Sequence, residues 1–225
     1  RFPWGNAFDL AVVRNKLVEQ RPVWLWCAHC ETSTGVLNDL AALKPLCAEH
    51  NVKLCLDCIS SIGAVPVDLT CIHLASCSSG KALRAYPGVS MVFHQYEPQP
   101  AADRLPRYLD LGCYSQQHTP FTFSSNLLHA LHAAVNRVNF EKRFADVSEI
   151  SNWLRPRLKE MGFELVGRET QTSPAVFTIA LPQEMNSVKV GSLMQEAGYL
   201  LSCNSDYLRR QNWIQICLMG EWQRE

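Results

Sequence analysis

Val52-Lys53-Leu54-Cys55-Leu56-Asp57 is an apolar run closed by a carboxylate, and the fold turns on how it is read. A short apolar run bounded by polar residues is the mark of a strand covered on both faces. Upstream, Pro22-Val23-Trp24-Leu25-Trp26-Cys27 reads the same way. Between the two, Val36 to His50 predicts a helix, and Pro45 requires a late start or a kink. Strand, helix, strand at this spacing is a βαβ unit, whose crossover implies parallel pairing. Ile72 to Cys77 and Val89 to Phe93 predict two more strands, with Lys81 in the turn between them. Ahead of all these, Leu10, Val13 and Leu17 give Phe8 to Gln20 the spacing of an amphipathic helix.

In such sheets ligands bind beyond the carboxyl ends of the strands. The polar clusters follow that rule. His29-Cys30-Glu31-Thr32-Ser33-Thr34-Gly35 follows the first strand, Asp57 ends the second, and Ser78-Ser79-Gly80-Lys81 follows the third.

The second half reads differently. Gln95 to Asp110 is rich in proline and polar residues and predicts a loop. Ser124 or Ser125 can cap a helix carrying Leu127, Leu128, Leu131, Val135 and Val138. Helix resumes from Phe140 to about Glu160, with Pro156 as a kink. After Gly162 come strands at Phe163 to Val166 and Ala175 to Leu181, a helix from Val188 to Ala197, and strands near Tyr199 to Cys203 and Trp213 to Leu218. This is a small α+β unit, so the chain divides into 1–145 and 146–225.

Bulk composition narrows the function. The 225 residues carry 21 basic and 21 acidic side chains, and this balance gives no footprint for nucleic acid. No apolar stretch approaches the roughly 20 residues that cross a bilayer. Ten cysteines without a secretory signal favour reduced thiols and a cytoplasmic setting. Cys27-Ala28-His29-Cys30 and Cys55-Leu56-Asp57-Cys58 together offer four thiolates for zinc. Both pairs sit in apolar strands, however, where residues three apart point to opposite faces. Core cysteines are the better account, and no metal site is expected. His29 reads as a base, a ligand or a loop-holding strand-end residue, and His118 is equally open.

Asp57-Cys58-Ile59-Ser60-Ser61-Ile62-Gly63, then Ser78-Ser79-Gly80-Lys81-Ala82-Leu83 and Pro87-Gly88, resembles the central part of class V aminotransferases. Within that class it resembles alanine–glyoxylate and 2-aminoethylphosphonate–pyruvate transaminases. Trp4-Gly5-Asn6-Ala7-Phe8, His29 to Leu37, and Tyr114 to Pro120 resemble the family's segments in the same places. The resemblance implies an α/β fold of the pyridoxal-phosphate (PLP) fold type I. Residues 1–145 would be part of the large PLP-binding domain, with a mainly parallel sheet. Residues 146–225 would be the small α+β domain, incomplete at its end, and the family's Gly-rich phosphate loop would lie upstream of Arg1.

The chemistry implied is transfer of an amino group from a small amino donor to a 2-oxo acid. Lys81 would hold the cofactor aldehyde as an imine and then carry the proton. Asp57 would face the pyridine nitrogen. A carboxylate ~4 Å from that cation is worth roughly 4 kcal/mol at an effective dielectric of 20, which keeps the ring protonated as an electron sink. Ile59 would pack on one ring face, Thr32 would bond near the ring hydroxyl, and Ser79 would contact the phosphate. Thr119, with Tyr114, would reach the phosphate of the other protomer's cofactor, which implies a homodimer. Gln215 stands where the family places an arginine for the substrate carboxylate, and Gly80 stands where it places a polar residue. The same constellation also suits a PLP-dependent lyase, and the loss of that arginine also suits a non-catalytic relative.

Overall fold

Leu54, Cys55 and Leu56 are fully buried, so β2 (Lys53–Asp57) is covered on both faces, as its sequence requires. In this computed structural model, which describes residues 2–222, β2 is the second strand of a four-stranded sheet. Arg1 and the last three residues assigned to the small domain, 223–225, lie outside the described residues. β1 (Trp24–Ala28), β2 and β3 (Leu74–Ser78) run parallel, and β4 (Ser90–His94) pairs antiparallel with β3. The β1–β2 crossover is α2 (Leu40–Glu49). Asp39 caps it, accepting from the Ala42 amide, so the helix begins later than Val36 and carries Pro45 inside it. Val36 and Leu37 instead form single bridges to Thr172 and Cys30. α1 (Leu10–Gln20), capped by Asp9, buries Val13 and Leu17 in the same core as Leu43, Leu46, Leu54 and Leu56. Each such side chain contributes about 1.5–3 kcal/mol on burial.

β1 departs from expectation. Its apolar run predicts cover on both faces, yet Trp24 and Trp26 are 43 and 56 % exposed. Among the described residues β1 pairs only with β2, so it is an edge strand. Trp24 is partly screened by the Lys53 ammonium, 5.0 Å from its ring, and by the edge of His73. An apolar run looks the same in sequence whether the strand is central or at an edge.

The second sheet is antiparallel, with β6 (Val176–Ala180) between β5 (Glu164–Leu165) and β7 (Trp213–Cys217). Phe177, Ile179, Leu181 and Ile214 form its core with Leu158. Helices α6 (Ser187–Glu196) and α7 (Asp206–Gln211) belong to this half. The strand expected at Tyr199 to Cys203 reduces to one bridge, Ser202 to Gln215. The six-residue α7, too short to show a helical period, was not expected. In the chain, α3 (Leu111–Gln117), α4 (Ser125–Arg137) and α5 (Phe140–Glu160) connect the two sheets. Ser124 caps α4, as the sequence suggests, but no residue of α4 is buried.

α5 runs unbroken through positions 145 and 146, so the two halves share a helix at the expected boundary. Its Arg143 is buried and joins them. Nε donates to the Gly63 carbonyl at 2.8 Å, and Nη2 donates to the Met219 carbonyl at 2.8 Å. Arg143→Met should therefore lower stability by about 2–3 kcal/mol, because buried carbonyls lose charged donors. Urea unfolding checks this: the midpoint should fall with the slope unchanged.

Candidate active site

Register fixes which residues meet at the carboxyl ends of the parallel strands. Ala28 lies opposite Asp57, and Asp57 opposite Ser76. Asp57 ends β2 with its side chain exposed. One carboxylate oxygen accepts from the Ile59 amide at 2.9 Å, which turns the chain sharply after the strand. Within that turn Cys58 donates its amide to Ser76, and its carbonyl accepts from the Ser61 and Ile62 amides. Gly63 closes the turn at φ +81°, where a Cβ would sit 2.9 Å from the Ala82 carbonyl carbon. Only glycine combines that backbone angle with so close an approach. The turn after Asp57 is thereby pressed against the backbone next to Lys81.

Lys81 is half-buried. Its Nζ donates to Ser60 Oγ at 2.6 Å and to Thr32 Oγ1 at 3.2 Å, and the two hydroxyls also bond each other. Neither Lys81 nor Asp57 forms a salt bridge among the described residues. Both act on one thiol: burial raises the pKa of Cys77, the Asp57 carboxylate adds to that shift, and the Lys81 ammonium opposes it. An amine held only by hydroxyls and a carboxylate anchored through one oxygen thus share one end of the sheet. That donor set fits a group bearing an aldehyde and a ring cation.

Two expected contacts fall elsewhere. Ser79 has no exposed surface, and its hydroxyl is spent within its own loop, donating to the Tyr86 carbonyl and accepting from the Val89 amide. It builds the lysine loop and offers a phosphate nothing in this structure. Gln215, expected at the substrate, is 2 % exposed and fully engaged. Its Nε2 donates to the Thr32 carbonyl (2.7 Å), the Ser33 carbonyl (3.2 Å) and Thr178 Oγ1 (2.8 Å), and its Oε1 accepts from the Tyr207 hydroxyl (3.1 Å). An amide so satisfied is a structural clamp on the Thr32 loop, not an open substrate contact. Tyr114 and Thr119 were expected at the other protomer's cofactor rather than at this lysine. Tyr114 donates to the Tyr108 carbonyl and packs near Phe121, and Thr119 is exposed just after α3.

Thr32 meets Lys81 directly, Asp57 and Ile59 stand on the turn that carries Ser60 to it, and sequence reasoning missed Ser60. The only available signal was its place three residues after Asp57 in a turn of fixed geometry. Gly80 also acquires a reason: a Cβ there would meet Pro87 Cβ at 2.8 Å and Cα at 3.0 Å. The loop has closed over the space that a larger residue would need.

His29, just after β1, is buried, and its Nδ1 has no partner among the described residues. Burial, then the nearby Lys44 charge, pushes its pKa down to about 4 from the ordinary 6.5. Between those values the unfolded chain binds the proton and the folded chain does not, so stability is lost as pH falls. Acidification from pH 7 to 4 should remove about 3 kcal/mol through this group. His29→Asn should flatten that part of the stability–pH curve. The cysteines follow the same logic: burial pushes Cys27 and Cys30 up to about 12 and Cys58 to about 11, which makes them protonated core thiols.

Comparison with known proteins agrees with this geometry. The sequence model for Aminotransferase class-V matches residues 7–203. The soluble hydrogenase 42 kDa subunit of Anabaena cylindrica is 34 % identical over 210 residues, covering 86 % of this chain and 54 % of that protein. The 2-aminoethylphosphonate–pyruvate transaminase of Lysinibacillus sphaericus is 27 % identical, covering 77 % of this chain and 51 % of its own. Among solved structures, alanine–glyoxylate aminotransferase from Nostoc sp. superposes with a TM-score of 0.84 at 27 % identity, over 97 % of this chain and 62 % of that one. The chain therefore spans about half the length of these curated relatives. With the match running from residue 7 to 203, through the four-stranded sheet and its lysine turn and into the second sheet, this chain belongs to the class-V aminotransferase family.

Proposed function

We propose that this chain carries the lysine-bearing part of a PLP-dependent aminotransferase, which moves an amino group from a small donor to a 2-oxo acid. The observation that carries the reading is the Lys81 amine, held by two hydroxyls and no carboxylate, beside the exposed Asp57 at the strand ends. Two of the three relatives described carry aminotransferase names, and a lone amine cradled this way suits that chemistry better than the hydrogenase name of the third.

Bound here, PLP would supply an electron sink for the charge left when a substrate Cα–H bond breaks. The remaining tasks fall to side chains. Lys81 would hold the aldehyde end of the group and would carry the proton at Nζ. Asp57 would hold the pyridine nitrogen, Ile59 would pack on the ring, and Thr32 would bond near the ring hydroxyl. Tyr114 and Thr119 serve across a homodimer, toward the other protomer's cofactor. The division near residue 145, with α5 common to both halves, and a cytoplasmic setting suited to ten unpaired thiols belong to the same reading.

One observation favours a second reading. Gln215 is too committed to grip a substrate carboxylate, as a non-catalytic relative would allow. One experiment separates the two. The chain is mixed with PLP, reduced with borohydride and mapped by mass spectrometry, and half-reactions with a panel of amino donors follow the visible band. Fixation on Lys81 with bleaching by at least one donor supports the transaminase. Fixation without donor reactivity supports the non-catalytic relative, and fixation on other lysines alone removes both.

A further inference from the structure

We infer that Ser60 is a positioning residue that, with Thr32, forms the seat of the Lys81 amine. Its hydroxyl is the nearest partner of Nζ, at 2.6 Å, and is 2 % exposed. A buried hydroxyl needs hydrogen-bond partners. Those of Ser60 are Lys81 and Thr32. Its neighbour Ser61 is buried too, but turns away to the Cys58 carbonyl at 3.3 Å. The turn leaves Ser60 little freedom, because Asp57 holds the Ile59 amide and the Cys58 carbonyl holds the Ser61 and Ile62 amides. The same short segment therefore places the carboxylate and the seat for the amine.

A lysine side chain has four rotatable bonds, and nothing in its own chemistry selects one direction. Two fixed acceptors select it. They take two of the three ammonium protons and leave the third for other contacts. On the proposed function, on which this part rests, the seat receives the amine each time a substrate amine takes its place on the cofactor. It thus sets the position from which Nζ handles the Cα proton.

The test compares Ser60→Ala with Ser61→Ala, two buried hydroxyls side by side of which only one faces the lysine. The first readout needs no cofactor. Trace acetic anhydride labels the amines of the chain, and mass spectrometry gives Lys81 acetylation relative to Lys53 and Lys142. Loss of one hydrogen bond to a charged group should raise Lys81 labelling about tenfold in Ser60→Ala. Ser61→Ala should leave it unchanged, and Ser60→Cys should fall between. Equal labelling of Lys81 in both alanine variants, raised or not, overturns the inference. Should Ser60→Ala fail to fold, Ser60→Cys against wild type decides alone, and no change in Lys81 labelling then overturns it. A second readout, the rate of PLP imine formation in the same chains, should likewise rise about tenfold in Ser60→Ala only, because the amine leaves this seat to attack the aldehyde. A wild-type chain that never fixes PLP on Lys81 removes the proposed function, while the labelling result still decides the seat.

Discussion

Lys81→Ala is expected to lower amino-transfer by about 10⁴-fold or more, while the protein stays folded. The side chain would do two jobs, bonding the aldehyde and carrying the proton, and no neighbour can replace it. Thr32 and Ser60 are hydroxyls, too weakly nucleophilic and too weakly basic to stand in. The cost to folding is small. Among the described residues Lys81 has no ion pair, and truncation removes two hydrogen bonds at a half-buried position, about 1–2 kcal/mol. Absorbance on adding PLP, borohydride trapping, donor half-reactions and thermal melting measure all of this on one sample. Lys81→Arg keeps the charge but cannot form the imine, so it should be as inactive as alanine. Retention of more than a tenth of wild-type turnover by either variant would falsify the assignment of the lysine.

Gln215→Ala is expected to cost about 3–5 kcal/mol of stability, a large share of what a domain of this size possesses. The carboxamide sits between the small sheet and the Thr32 loop and is almost without exposed surface. Its removal takes the side-chain donor from the Thr32 carbonyl, weakens support for that of Ser33, leaves the Tyr207 hydroxyl without this acceptor, and opens a cavity. The effect should reach the lysine. Thr32 offers its carbonyl to Gln215 and its hydroxyl to Lys81, so an unclamped loop should also raise Lys81 labelling. Urea unfolding and amide exchange of residues 31–35 check the claim. A loss below about 1 kcal/mol would mean that the clamp is idle and that Gln215 is available to a substrate after all.

These two residues show how differently the sequence speaks. Lys81 was legible because it stands in a recognisable turn, 24 residues beyond a carboxylate that ends an apolar run. Gln215 was legible as a position but not as a role. Its strand was evident from the run Trp213 to Leu218, yet its partners Thr32 and Ser33 lie at the other end of the chain. Ser79 failed for a related reason: adjacency to Lys81 suggested a ligand contact, and only the closure of the loop onto Tyr86 and Val89 shows where its hydroxyl goes. Trp24 and Trp26 mark a third limit, since an apolar strand does not record whether it has one neighbour or two.

By itself, the sequence determined the alternation of strands and helices, the parallel start of the sheet, and the places of Asp57 and Lys81 after its strands. These rest on local period, capping and short spacing, which neighbouring residues encode. The tertiary structure alone decided what surrounds the amine. Thr32 and Ser60 stand 49 and 21 residues from Lys81, and Gln215 stands 183 residues from Thr32. Hydrogen bonds over such separations leave no period in the chain, because strand alignment in the first sheet gathers Thr32, Ser60 and Lys81, and the second sheet brings Gln215 to them.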